Sequence, residues 1–131
     1  MATTESSPFI RTGCDTLDQD HEIFMSLLDK LGESDNADFP AVFNELYAHV
    51  EQHFERENLL MADSAYPAAG EHRGEHGRVL AEFKQFKTRV DKGLIAFGRA
   101  FVKERLPAWF VLHASTMDSA LAAHLRQRER D

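Results

Sequence analysis

Apolar residues recur along most of the chain at alternating spacings of three and four, the spacing of one face of an α-helix. This pattern predicts four amphipathic helices, at residues 17–31, 40–65, 68–92 and 99–126. The segments between them are short, so we expect an all-α fold, an antiparallel up-down-up-down four-helix bundle that occupies residues 15–131. Residues 1–14 are expected to form a short N-terminal arm before it.

Polar side chains interrupt these apolar faces at seven positions. They are His21, His53, Glu57, His72, His76, His113 and, at the edge of its face, Asp118. Each buried polar group without a partner would cost about 1–3 kcal/mol. Because the four faces meet inside a bundle, we expect these side chains to converge there. A metal is the partner that could satisfy so many nitrogen and oxygen lone pairs.

The spacing of these residues indicates how they could bind metal. His72 and His76 are four residues apart and can therefore contact one ion from a single helix, and His53 and Glu57 share that spacing. Imidazole and carboxylate suit iron, zinc, manganese or copper. Seven ligands exceed the four of a tetrahedral site, so two metal ions are expected rather than one.

The fourth predicted helix contains two irregularities. Pro107 lacks the backbone N–H and would clash with the carbonyl of Lys103, which predicts a kink or a new helix start there. Asp118 follows His113 by five residues, about 140° around a regular α-helix. Spacing alone therefore makes Asp118 the weakest of the seven candidates.

The composition excludes several other classes of protein. The 131 residues are 43% hydrophobic and 28% charged, as in one ordinary globular domain. A net charge of −7 without a basic stripe argues against nucleic acid as a partner. No apolar run approaches the roughly 20 residues that span a membrane. The first residues lack the features of a signal peptide and Cys14 is the only cysteine, so a cytoplasmic location is expected.

Taken together, the motifs resemble those of bacterial hemerythrins over roughly residues 13–125. The resemblance rests on Gly13, Leu17-Asp18-Gln19-Asp20-His21, His53-Phe54-Glu55-Arg56-Glu57, Met61, Tyr66-Pro67, His72-x-x-x-His76 and Trp109-x-x-x-His113-x-x-x-x-Asp118. The chain has no Glu-x-x-His motif, which the ferritin-like di-iron bundles use. A histidine-rich bundle site is therefore a different design.

The resemblance implies a non-haem di-iron centre, that is, two iron ions with an oxo or hydroxo bridge. One iron would be bound by His72, His76 and His113, the other by His21 and His53, and both by the bridging carboxylates of Glu57 and Asp118. The second iron would then have one open coordination position, where the family binds dioxygen. The pocket around it would be lined by Phe24, Phe54, Trp109, Phe110 and Ala114.

The chain departs from the family at some of these positions. Phe110 stands where an aliphatic residue is usual, and Ala114 where a larger branched residue is common. Asn58 stands where a second glutamate often follows the bridging one, and it is not expected to touch a ligand. The two pocket changes exchange volume between neighbouring positions and bear on the shape of the pocket.

The function that the resemblance implies is reversible binding of dioxygen, as a carrier, store or sensor, rather than catalysis. The alternative is a di-iron enzyme that handles peroxide or nitric oxide. A helical interaction module without metal would leave the buried histidines unexplained. Dioxygen is the expected partner, with no nucleic acid or membrane, and the chain is expected to be a monomer or a weak homo-oligomer.

Overall fold

The computed structural model describes residues 11–130, and this part of the chain is all-helical, as predicted. The first three helices are α1 (Asp15–Glu33), α2 (Phe39–Asp63) and α3 (Ala69–Asp91). The fourth helical stretch consists of α4 (Ile95–Ala100), a π-helical turn (Phe101–Arg105), α5 (Leu106–His113), a second π-helical turn (Ala114–Asp118) and α6 (Ser119–Arg130). Most of the expected N-terminal arm lies outside the described residues.

Local chemistry sets the ends of these helices. Pro40 lies in the first turn of α2, where a missing N–H removes no helical hydrogen bond. Gly93 has a φ of 90° and donates its N–H to the Val90 carbonyl, which ends α3 in the left-handed conformation that glycine favours. Within the described residues, none of the helices combines the length and apolar composition needed to cross a membrane.

The first π-helical turn precedes Pro107. The Leu106 N–H bonds to the Phe101 carbonyl, five residues earlier, and α5 then begins with Pro107 in its first turn. The proline therefore lies where its nitrogen need not donate. The sequence predicted a kink or a new helix start at this point; an α-helical segment does begin at Leu106, directly after the π-helical turn, which was not predicted.

Two apolar clusters lie on either side of Glu57 in α2. The larger is rich in phenylalanine, and its rings pack edge to face, with Phe83 at 5.1 Å from Phe43 and 5.2 Å from Phe101 between ring centroids. It reaches Phe54, one turn before Glu57. The smaller cluster contains Met61, one turn after Glu57. The polar side chains are therefore held between two regions of close apolar packing.

The segment before α1 is tied to the bundle by hydrogen bonds. The buried Asp18 carboxylate accepts the Thr12 N–H and hydroxyl at 2.8 Å each and the Gly13 N–H at 3.2 Å. Arg126 of α6 donates to the Thr12 carbonyl at 2.7 Å. These contacts satisfy backbone groups near the start of α1.

Candidate metal centre

The structure brings together all seven polar side chains that the sequence singled out. All are buried, and the most exposed of them, His53, is only 7% exposed. They come from all four helical stretches, namely His21 from α1, His53 and Glu57 from α2, His72 and His76 from α3, and His113 and Asp118 from the fourth stretch.

Glu57 lies at the centre of this group and is fully buried. Its Oε1 lies 2.8 Å from Nε2 of His76 and 3.1 Å from Nε2 of His72. Its Oε2 lies 2.7 Å from Nε2 of His53. The two oxygens of one carboxylate thus face imidazoles on opposite sides.

Asp118 has the same relationship to its neighbours. Its Oδ1 lies 3.1 Å from Nε2 of His72 and 3.0 Å from Nε2 of His113, and its Oδ2 lies 2.8 Å from Nε2 of His21. The second π-helical turn makes this possible, because its hydrogen bonds span five residues instead of four. The Ser119 N–H bonds to the Ala114 carbonyl in this way, so His113 and Asp118 come to the same side of the helix.

The donor atoms form two groups that each could hold one metal ion. The three-histidine cluster consists of Glu57, His72, His76 and His113, and the two-histidine cluster consists of His21, His53, Glu57 and Asp118. Within each cluster, one donor atom per residue lies within 4.8 Å of all the others. This is the division of histidines that the resemblance implied.

The orientation of the donor atoms fits a metal better than it fits hydrogen bonding. Among the described residues, both oxygens of Glu57 and the Nε2 atoms of His76 and His113 are buried without a hydrogen-bond partner. Yet Nε2 of His76 lies only 2.8 Å from Oε1 of Glu57, and Nε2 of His113 only 3.0 Å from Oδ1 of Asp118. Buried polar atoms are normally satisfied. Close donors that are not aligned with one another are expected where lone pairs converge on a shared ion, and this imidazole and carboxylate set suits a transition metal.

The crowded charges shift the pKa values of the cluster. Burial opposes protonation of His53, but the carboxylates of Glu57 and Asp20 outweigh it and raise its pKa to about 10. For His113, Asp118 and Glu57 likewise outweigh burial and raise the pKa to about 9. Burial disfavours ionisation of Glu57, yet His53 and the other imidazoles around it hold its pKa well below the ordinary value.

Two contacts around the ligands were missed by sequence reasoning. Asp20 accepts a hydrogen bond from Nδ1 of His53 at 2.9 Å, and Arg56 contacts the same carboxylate. Asn58 Oδ1 lies 3.1 Å from Nδ1 of His76, so the expectation that Asn58 would not touch a ligand is wrong. Asp20 and Asn58 each follow or precede a ligand by one residue, and only the folded arrangement shows which ring they reach.

A small cavity of about 10 Å³ adjoins the candidate metal centre. Its apolar lining comes from Phe24, Val50, Phe54, Trp109 and Phe110, and its polar lining from His21, His53, His113 and Asp118. Four of the five expected pocket residues therefore lie there. Ala114 is buried in the adjacent core instead, and Val50 is in the lining although the sequence did not indicate it.

Trp109 forms part of the wall of this cavity. Its ring stacks on His113 with 4.6 Å between centroids, and its Nε1–H donates to Glu75 at 2.7 Å. Glu75 in turn accepts two hydrogen bonds from Arg78. Trp109 also lines a second cleft, formed with Arg78, Val79, Glu82, Phe101, Arg105 and Leu106.

Across residues 11–130, four helical stretches share a buried centre of histidines and carboxylates, which is the arrangement of a helical metal-binding protein. The model of the Hemerythrin HHE cation binding domain matches residues 12–130. The chain therefore belongs to the hemerythrin family.

Two proteins are similar to this chain over most of its length. The chain is similar to a Bacteriohemerythrin from Ralstonia nicotianae, with 34% identity over 131 residues that cover 100% of this chain and 95% of that protein. It is also similar to a Myohemerythrin from Riftia pachyptila, with 26% identity over 123 residues that cover 90% of this chain and 94% of that protein. No solved structure gives a significant match.

Proposed function

We propose that this chain binds dioxygen reversibly at a di-iron centre with an oxo or hydroxo bridge, as a carrier, store or sensor. One observation carries the proposal: Glu57 and Asp118 each direct one oxygen toward one group of imidazoles and the other oxygen toward the second. Such carboxylates can bridge two metal ions. The similarity to proteins named Bacteriohemerythrin and Myohemerythrin supports iron as the metal.

The numbers of donors on the two sides are unequal. His72, His76 and His113 serve one metal position, and only His21 and His53 serve the other. Two iron ions bound here would supply the redox chemistry that allows dioxygen to bind. With the bridging groups shared equally, the position beside His21 and His53 lacks one protein donor and can accept an external ligand.

The cavity supports binding rather than turnover. Phe24, Val50 and Phe110 give it an apolar lining, which disfavours the escape of charged products such as superoxide. Every titratable side chain in the lining is a candidate metal ligand. The lining thus offers no further acid or base for peroxide or nitric oxide chemistry, which favours an oxygen-binding protein over an enzyme.

We also propose that the helices follow an antiparallel up-down-up-down order. Ser34 to Asp38 are the only residues between α1 and α2, and Ser64 to Ala68 the only ones between α2 and α3. Connections this short join antiparallel neighbours in helical bundles. This order brings the candidate metal ligands of all four helical stretches to the same level along the bundle, where they form the shared centre.

An optical experiment tests the proposed function. The iron-loaded protein is reduced without air, exposed to air, and then returned to an oxygen-free atmosphere. We expect a visible charge-transfer band that appears with air and disappears on its removal, and no such band in Glu57→Ala. Irreversible bleaching, or rapid consumption of added hydrogen peroxide, would replace the proposal with the enzyme alternative.

A further inference from the structure

The two metal positions differ in the groups that contact the Nδ1 atoms of their histidines. Asp20 precedes the candidate ligand His21 in α1, and its side chain is only 7% exposed. Its Oδ2 lies 2.9 Å from Nδ1 of His53. Because a carboxylate can only accept, Nδ1 of His53 carries a proton, and Nε2 is the nitrogen whose lone pair becomes available when a metal displaces its own proton.

Asp20 is itself held by a forked contact. Arg56 follows His53 by three residues in α2, so both side chains leave neighbouring points of the helix. Its Nε lies 2.8 Å from Oδ2 of Asp20, and its Nη2 lies 2.6 Å from Oδ1. A two-point contact of this kind fixes the plane of the carboxylate, which a single lysine contact would not do.

The other imidazoles lack an equivalent partner within the part of the chain that the structure describes. Nδ1 of His76 faces the neutral side-chain oxygen of Asn58 at 3.1 Å. The Nδ1 atoms of His21, His72 and His113 are buried without a hydrogen-bond partner. Within residues 11–130, His53 is therefore the one candidate ligand histidine whose Nδ1 contacts a carboxylate.

An anionic acceptor on one ring nitrogen makes the other nitrogen a stronger metal donor and fixes the orientation of the ring. We propose that Asp20, clamped by Arg56, is a positioning residue that selectively strengthens metal binding at the two-histidine cluster. Asn58 gives the three-histidine cluster only a neutral contact. This inference depends on the two-metal centre of the proposed function, but it does not depend on dioxygen.

Cobalt(II) titration of the metal-free protein tests this inference, because the visible absorption of bound cobalt reports each binding step. Asp20→Asn removes the charge with little change of shape. We expect it to weaken one of the two cobalt-binding steps by roughly 10–100-fold, with a change in that step's spectrum. The other step should keep its affinity and spectrum.

Asp18→Asn is the matched control. Asp18 is a second buried carboxylate of α1, but it bonds to Thr12 and Gly13 and not to a ligand histidine. This variant should leave both cobalt steps unchanged. Equal weakening of both steps by Asp20→Asn, or an effect of Asp18→Asn as large as that of Asp20→Asn, would overturn the inference.

Two further variants keep the test decisive if Asp20→Asn fails to fold, which circular dichroism would show. Arg56→Gln keeps Asp20 but removes the two-point contact that holds its carboxylate. It should weaken the same single step by a smaller factor. Asn58→Asp gives His76 an anionic partner and should strengthen the other step. If neither variant changes cobalt binding, the positioning role is refuted. A parent protein that binds at most one cobalt ion refutes the two-metal centre itself.

Discussion

Nε2 of His113 lies 3.0 Å from Oδ1 of Asp118, although the two residues are five apart in a helical stretch. The π-helical turn Ala114–Asp118 brings them to one side. Without it, the fourth stretch could direct only one of the two toward the other helices. A helix irregularity thus supplies one of the two carboxylates that face both histidine clusters.

Asp118→Asn should therefore reduce metal binding at both positions. The amide keeps the size of the side chain but removes the charge that faces His21, His72 and His113. We expect the affinity loss to exceed the roughly 10–100-fold typical of changes one step away from a ligand. Elemental analysis after reconstitution measures it, with the exposed Asp63→Asn as control, and full metal content in Asp118→Asn would exclude its bridging role.

Metal binding should release protons and strengthen as the pH rises. His53 and His113, with pKa values of about 10 and about 9, are protonated at neutral pH until a metal displaces the proton. Protons would stop competing with a metal for an unshifted histidine above about pH 6.5. At His53 and His113 this competition extends to higher pH. Calorimetry in two buffers of different protonation enthalpy measures the release at pH 7.5, and identical heats in both would contradict it.

Phe110→Leu should speed oxidation of the oxygenated protein several-fold. The Phe110 ring stacks on Phe24 at 4.7 Å and meets His21 edge-on at 5.1 Å, so its loss opens the dry wall of the cavity to water. Absorbance decay in air measures the rate. Phe83→Leu is the control, because both substitutions remove a buried ring and should cost part of the ~3–5 kcal/mol that truncation to alanine costs. Of these two residues, Phe110 lines the cavity and Phe83 does not. Equal rates in both variants would remove Phe110 from that role.

Glu75→Ala should loosen Trp109 and accelerate ligand entry. The carboxylate of Glu75 holds the indole N–H at 2.7 Å, and Trp109 is the single tryptophan of the chain. We expect greater quenching of its fluorescence by acrylamide and faster oxygen association in stopped-flow measurements. Glu75→Gln keeps an acceptor and should behave like the parent chain, so an equal effect of both substitutions would argue against this contact.

The sequence was sufficient for the parts of the fold that follow a regular period. The predicted first helix, residues 17–31, lies within α1 (Asp15–Glu33), and the predicted third, residues 68–92, closely matches α3 (Ala69–Asp91). Both π-helical turns were missed, because an extra residue in a turn leaves no mark in a pattern read at 3.6 residues per turn. That omission is why Asp118 seemed poorly placed by spacing.

The residues around the ligands could not be predicted for a related reason. Asp20 and Asn58 do not lie on the apolar stripes that located the histidines, whereas Val50 lies on the same stripe as His53. For all three residues, the role depends on which ring or cavity the side chain meets after folding. Ala114 shows the opposite case, since a position assigned to the pocket by resemblance lies in the core beside it. Single-residue shifts around a helix decide such contacts, and periodicity does not resolve them.

The indole of Trp109 rests against the ring of His113 on the inside and borders an outer cleft as well. Any movement that widens a passage at this point must also relax the support behind a metal-binding ring. Fast entry of a ligand and firm support of the metal-binding ring are therefore opposing demands on the Trp109 side chain. A substitution at Trp109 that speeds ligand entry should therefore weaken retention of the metal.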